Sequence, residues 1–131
     1  MELPAGNIAA AADANFVAHA TWAAQNAAGM RTWLQPMLTL VDSGLACDTF
    51  NIACCARLPG SGAEQHIQTA LDFFAAGTNL FSWWVGPADR PQWLGELLLD
   101  AGLARAESEL AMALSLAELP ALLQPIDGLE I

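Results

Sequence analysis

The sequence contains no lysine and no tyrosine, and charged residues of either sign are few. Four arginines stand against 14 acidic residues, which gives a formal net charge of −10. Nucleic acids and anionic membranes are bound through clustered cations, so we expect neither as a partner. The negative charge suits a basic partner or an amine substrate, although it more commonly serves to keep a protein in solution.

Long apolar runs and paired cysteines are also missing. No apolar run reaches the length of a membrane span, and the N-terminus lacks the basic residues of a secretory signal. The three cysteines, Cys47, Cys54 and Cys55, show no CxxC spacing. We therefore expect reduced thiols, no zinc or other metal site, and a cytoplasmic location.

Apolar side chains are abundant, and they centre on one stretch of the chain. Of the 131 residues 55% are hydrophobic, enough for the core of one domain. The run Phe-Ser-Trp-Trp-Val-Gly-Pro at 81–87 has strand composition and ends in turn residues, and helical patterns at 65–76 and 91–101 flank it. This order predicts an α/β layer. Trp83 and Trp84 must point to opposite faces, so burial of both would mean that the sheet is covered on both sides.

The rest of the chain predicts a helix, a hairpin and a final strand. The hairpin rests on two apolar runs joined by a short Asp-Ser-Gly turn. We predict a helix at 7–25, an extended segment at 31–35, strands at 37–41 and 50–56 with a return strand that could begin at 45–48, and a last strand at 110–116.

A glycine-containing loop joins the strand at 50–56 to the next helix. Its sequence is Arg57-Leu58-Pro59-Gly60-Ser61-Gly62-Ala63. A strand, a glycine loop and a helix N-terminus together can hold an anion, because free backbone N–H groups point at it. The alternative is an ordinary strand-to-helix connection, which Pro59 favours because it removes one N–H donor.

The order of elements, with the run at 81–87, Gly102-Leu103 and Met112-Ala113-Leu114, resembles the N-terminal domain of bacterial tandem GNAT (GCN5-related) N-acetyltransferase proteins. The resemblance implies an α/β fold (α+β mixed), with a mixed, largely antiparallel sheet and helices on both faces. It assigns 1–118 to the GNAT-like domain and 119–131 to a linker and the start of a possible second domain.

The resemblance also implies transfer of an acetyl group from acetyl-CoA to a small-molecule or peptide amine by direct attack. The family holds the CoA pyrophosphate with the pattern R/Q-x-x-G-x-G/A, which the loop after the central strand fits. The cofactor-binding residues it implies are Arg57, Gly60, Ser61, Gly62 and Ala63.

Candidate catalytic residues follow from the needs of that reaction. The amine must lose a proton, and Asp48 and Glu64 are the candidate acceptors. Glu64 has a commoner explanation, because a carboxylate in the first turn of a helix complements the helix dipole. The family's frequent tyrosine acid has no counterpart here, so the leaving thiolate would take its proton from water, Ser82 or a cysteine.

Two other functions remain open at this point. One is a degenerate, non-catalytic GNAT-like module that packs on a catalytic GNAT domain or pairs with a second copy, as Pro59 and the missing tyrosine suggest. The other is a binding protein unrelated to the family, whose order of elements is coincidental. A sheet that does not splay at the Arg57 loop would favour that last reading.

Overall fold

The computed structural model describes residues 5–78, 80–110 and 112. These residues form three helices and a four-stranded mixed sheet. The protein therefore has the mixed α+β architecture that the sequence predicts. The elements are α1 (Ala5–Asn26), β1 (Arg31–Gln35), β2 (Leu38–Asp42), β3 (Ile52–Cys54), α2 (Ala63–Ala75), β4 (Ser82–Trp83) and α3 (Leu94–Asp100).

The strands follow chain order across the sheet, β1-β2-β3-β4. β1 and β2 form a hairpin that closes at the pair Gln35 and Leu38, and β2 pairs antiparallel with β3. β3 and β4 run parallel, with Ile52 opposite Ser82 and Ala53 opposite Trp83. The sheet is thus largely antiparallel with one parallel pair, and the parallel pair places α2 as the crossover between its strands.

One face of the sheet packs against α2 and α3 mainly through apolar side chains. Leu40 and Ala53 from the strands, Ile67 from α2 and Leu94 from α3 are almost fully buried there. The ring of Phe74 stacks on Phe81 with centroids 4.1 Å apart and planes 5° apart. This face is the hydrophobic core of the protein.

The opposite face is covered by α1, and its contacts are of a different kind. Phe16 packs on Trp84 with ring centroids 5.2 Å apart, and Asp13 forms an ion pair with Arg57 at 2.7 Å. Trp22 on the same helix remains 66% exposed. Helices therefore lie on both faces, and the strand residues Val41 and Cys54, which point toward the α1 face, are at most 1% exposed.

A buried asparagine connects the loops at one end of the sheet. The side chain of Asn51 is fully buried, and its amide donates to the carbonyls of Leu45 (2.8 Å) and Leu80 (2.7 Å). Its oxygen accepts from the backbone N–H of Ser43 at 2.8 Å. These bonds hold the chain after β2 as a loop. The prediction that a return strand begins at 45–48 is therefore wrong.

The tryptophan strand is shorter and less buried than predicted. β4 covers only Ser82 and Trp83, and α3 begins at Leu94 rather than at 91. Trp83 packs against the core, whereas Trp84 is 36% exposed because Phe16 covers only part of it. Trp84 is therefore not buried, although helices lie on both faces of the sheet.

A second polar cluster ties β1 to α2. The guanidinium of Arg31 binds the buried carboxylate of Asp42, donates to the carbonyl of Phe73 at 2.8 Å, and lies 4.5 Å from the centre of the Phe73 ring. The carboxylate of Asp42 occupies the space that a Cβ at Gly77 would need. The end of α2 can approach the sheet this closely because residue 77 is a glycine.

The predicted last strand and the predicted linker fall mostly outside the described residues. Residues 103–110 belong to no helix or strand, and positions 111 and 113–131 lie outside the described part. None of the described helices is long and apolar enough to cross a membrane.

Candidate cofactor site

The junction between β3 and α2 ends in a left-handed glycine that precedes a helix without a side-chain cap. Gly62 precedes the helix with φ +91° and ψ 13°, a left-handed conformation that glycine adopts without strain. Its carbonyl accepts from the N–H of Gln65 at 3.1 Å. Among the described residues no side chain caps the start of α2, so its first N–H groups are available to an anion.

The glycine loop itself lies at the surface. Gly60, Ser61 and Gly62 are exposed, whereas Ala63 is fully buried and anchors the first turn of α2 in the core. A Cβ added to Gly60 would come 3.8 Å from the ring of Trp93, which is an ordinary contact. The structure thus brings these four predicted residues together in one accessible turn.

Arg57, the fifth predicted cofactor residue, is engaged elsewhere. Its guanidinium donates to the carboxylate of Asp89 at 2.6 Å, to that of Asp13 at 2.7 Å and to the carbonyl of Ala56 at 3.0 Å. Burial disfavours the charged guanidinium, but the two carboxylates outweigh it and raise the pKa of Arg57. The side chain links β3, α1 and the loop before α3, and its role toward a pyrophosphate stays a prediction.

Asp89 is the buried partner in this cluster. Its side chain is 3% exposed, and its carboxylate also accepts from the N–H of Gly86 at 3.2 Å. Burial raises the pKa of Asp89, although the N–H of Gly86 and the charge of Arg57 act in the opposite direction. Sequence reasoning missed the roles of Asp13 and Asp89, because the pair with Asp13 spans 44 positions of the chain.

The parallel pair of strands opens next to this cluster. The N–H of Trp84 donates to Ala53 at 2.8 Å, and the chain then leaves β3 until Arg90 donates to Ala56 at 3.0 Å. Opposite the gap, Cys55 has a φ of +55°, which is unusual for a non-glycine residue. The pairing is therefore interrupted between Trp84 and Arg90 and resumes at the parallel bridge between Arg57 and Arg90, so the sheet does not splay at the Arg57 loop.

The predicted catalytic residues lie in two places. The hydroxyl of Ser82 donates to the backbone carbonyl of Asp48 at 2.9 Å and accepts from the indole N–H of Trp84 at 3.1 Å. Glu64 lines a cavity of about 310 Å³ between α2 and α3 together with Asp100. The structure thus brings Ser82 to the backbone of Asp48, whereas Glu64 lies on α2, beside the cavity between α2 and α3.

The thiols near the gap are held protonated. Burial raises the pKa of both Cys54 and Cys55, and Cys55 directs its sulfur to the carbonyl of Asp13 at 3.9 Å. Hydrogen bonds with Thr49 instead lower the pKa of Cys47. Of the three, Cys55 is a partly exposed thiol beside this interruption, and its raised pKa makes it a weaker acid than an ordinary cysteine.

Within the described part of the chain, no group of three or more His, Cys, Asp or Glu side chains is placed to hold a metal ion. Comparisons with protein-family models, with curated proteins and with solved structures found no match.

Proposed function

We propose that the chain is a GNAT-like domain that binds acetyl-CoA at the β3–α2 junction and transfers its acetyl group to an amine. The observation that carries this proposal is the uncapped N-terminus of α2 behind the left-handed Gly62. In this arrangement the N–H groups of Gly60, Ser61, Gly62 and Ala63 face the pyrophosphate, which the helix dipole also attracts.

The proposed reaction is direct transfer of the acetyl group from the thioester of acetyl-CoA to the amine. The amine forms a bond to the acetyl carbon, the carbon–sulfur bond breaks, and the sulfur leaves with the electron pair and takes up a proton. In this proposal Ser82, Cys55 or water donates the proton to the leaving sulfur. Asp48 or water accepts the proton that the amine loses. Because the three cysteines are unpaired, we place the protein in the cytoplasm.

A second candidate is a non-catalytic module that packs on a catalytic GNAT domain. The observation in its favour is that Asp13 and Asp89 hold the guanidinium of Arg57, the cation of the loop. Glu64 adds a negative charge to the first turn of α2, where an anion would bind. With Pro59 removing one N–H, the cradle then depends on backbone donors alone.

Titration of the isolated chain with acetyl-CoA separates the two candidates. We expect saturable heat, with backbone NMR shifts at Gly60, Ser61 and Gly62. Ser61→Asp places a carboxylate in the cradle and should weaken binding roughly tenfold or more through like-charge repulsion. Ser108→Asp makes the same change at another exposed serine and should leave binding unaltered.

Absence of binding at millimolar acetyl-CoA contradicts the first candidate and supports the second. Acetyl transfer to a panel of amines by the isolated chain, lost in Ser61→Asp and kept in Ser108→Asp, contradicts the second.

A further inference from the structure

Two of the free cysteines are adjacent in the chain, at the end of β3. Cys54 is the last residue of the strand and is 1% exposed, whereas Cys55 follows it and is partly exposed. Neighbouring side chains of a regular strand point to opposite faces of the sheet. Cys55 departs from the strand conformation, because its φ of +55° lies in the left-handed region.

Both thiols consequently face α1. Ala53 contributes to the core beneath α2, so alternation along β3 directs Cys54 to the other face, opposite Thr39. Cys55 reaches the same face, where its sulfur lies 3.9 Å from the main-chain carbonyl oxygen of Asp13. A hydrogen bond between the two thiols contributes to the pKa of each. The structure thus places two sulfurs side by side beneath a helix.

Asp13 is also a residue through which α1 is attached to the rest of the protein. Its carboxylate pairs with Arg57 at 2.7 Å, and a Cβ on Gly86 would come 3.7 Å from the same carboxylate. The carbonyl of Asp13 therefore belongs to an anchored turn of α1. A chemical change at the Cys55 sulfur acts directly on that turn.

The two sulfurs differ in what they can meet. A small reagent reaches the partly exposed Cys55 from solvent, whereas the buried Cys54 can react only with its neighbour. Asp13 and Asp89 place negative charge near the thiol of Cys55, and the chain carries a net charge of −10, so an uncharged reagent is favoured over an anionic one. This is the arrangement of an accessible thiol beside a resolving cysteine.

We propose that Cys54 and Cys55 form a reversible oxidation site, at which hydrogen peroxide converts the two thiols into a disulfide and loosens α1. The sulfur of Cys55 attacks a peroxide oxygen, the O–O bond breaks, and the leaving hydroxide takes the thiol proton, which gives a sulfenic acid and water. The sulfur of Cys54 then attacks that of Cys55. The S–S bond forms, the S–O bond breaks, and hydroxide leaves with the proton of Cys54 as a second water. The two thiols lose the two electrons that the peroxide gains.

The spacing of the two residues makes the disulfide easy to reduce. Consecutive Cα atoms are about 3.8 Å apart, below the range of about 4.4–6.8 Å that is usual for disulfides. Cellular thiols reduce a strained disulfide readily, so the pair returns to the dithiol when the oxidant is gone. Burial raises the pKa of Cys55, so little thiolate is present near neutral pH and the oxidation should be slow.

Peptide mass spectrometry after treatment with hydrogen peroxide tests the site. The peptide that carries both residues should lose the mass of two hydrogen atoms, and dithiothreitol should restore it. Cys54→Ser should instead accumulate a sulfenic acid at Cys55, trapped with dimedone, because the resolving thiol is gone. Cys47→Ser, at the cysteine outside the pair, is the matched control and should form the disulfide like the wild type.

Hydrogen exchange measures the effect on the helix. In the oxidised chain the sulfur of Cys55 is bound to Cys54 and no longer donates to Asp13. The α1 amides around Asp13 should therefore exchange severalfold faster than in the reduced chain, while exchange in α2 stays unchanged. Reduction with dithiothreitol should restore the slower exchange.

Circular dichroism and thermal unfolding establish that the cysteine variants are folded, and Cys54→Ala removes the same thiol without placing a hydroxyl in the buried position. The proposal is overturned if the wild type forms no disulfide within this peptide, or if Cys55 pairs instead with Cys47 or with a second chain. Equal α1 exchange in the oxidised and reduced proteins also overturns it. None of these outcomes depends on acetyl-CoA, so they are independent of the cofactor titration.

Discussion

The two faces of the sheet are covered by helices that are held in different ways. α2 and α3 are fixed by interlocked apolar side chains, with Phe74, Ile67 and Leu94 at most 2% exposed. α1 contacts the other face through Phe16 on Trp84 and through the ion pair of Asp13 with Arg57, and it leaves Trp22 in solvent, although Val41 and Cys54 on that face are at most 1% exposed. Apolar burial scales with area, whereas an exposed ion pair contributes little.

This difference predicts where the stability of the protein resides. The α2 face should melt only with the whole domain, whereas α1 should open locally at a smaller cost in free energy. The proposed cofactor turn lies at the N-terminus of α2, which the core holds firmly. The ion pairs of Arg57 with Asp13 and Asp89 connect this turn to α1.

The largest effect is expected on the apolar face. Phe74→Ala removes a ring that stacks on Phe81 and packs edge-on against Phe73. We expect the free energy of unfolding to fall by about 3–5 kcal/mol, measured by chemical denaturation. Phe50→Ala, at a phenylalanine that is 56% exposed, should change it by less than about 0.5 kcal/mol. Equal losses in both variants would contradict the assignment of the core.

An intermediate effect is expected for Asp89→Asn. The folded state binds the proton of Asp89 more tightly than the unfolded state does, because burial raises its pKa above the ordinary 3.8. The contribution of Asp89 to the unfolding free energy should therefore fall as pH rises from 3.8 through the folded pKa. Asparagine relieves the buried charge but weakens the pair with Arg57, so the net change near pH 7 should be about 1 kcal/mol or less.

The pH dependence distinguishes this role from simple packing. Relative to the wild type, Asp89→Asn should become more favourable as pH increases through that range. A difference between the two proteins that is constant with pH would contradict a raised pKa at Asp89.

The smallest effect on global stability is expected for Asp13→Asn. The pair with Arg57 is partly exposed, with side chains 37% and 26% accessible. Its loss should cost about 0.5 kcal/mol in global unfolding. Hydrogen exchange of α1 amides should nevertheless accelerate, while exchange in α2 stays unchanged. Uniform acceleration in both helices would show that the two faces are not held independently.

The sequence predicted the elements better than it predicted their contacts. The helices at 7–25 and 65–76 and the hairpin follow from local periodicity and turn residues, which act over a few positions. The extent of β4 and the loop at 45–48 depend on the side chain of Asn51. Its amide donates to Leu45 in the loop after β2 and to Leu80 in the segment before β4. Such distant partners leave no local pattern.

The candidate site shows the same division. The turn from Gly60 to Gly62 is visible in the sequence because left-handed glycine before a helix is a local feature. The engagement of Arg57 is not, since its partners Asp13 and Asp89 come from α1 and from the loop before α3. The exposure of Trp84 could not be predicted from the sequence either, because it depends on how much of the sheet α1 covers.

The contact between Gly77 and Asp42 also has a consequence for the variation that the chain can tolerate. Any side chain at 77 would collide with the carboxylate of Asp42, which Arg31 holds in place. A side chain at 77 becomes acceptable only after residue 42 shrinks, and Arg31 then loses its carboxylate partner and keeps only its contacts with Phe73. We therefore expect glycine at 77 and an acid at 42 to change together in relatives of this chain.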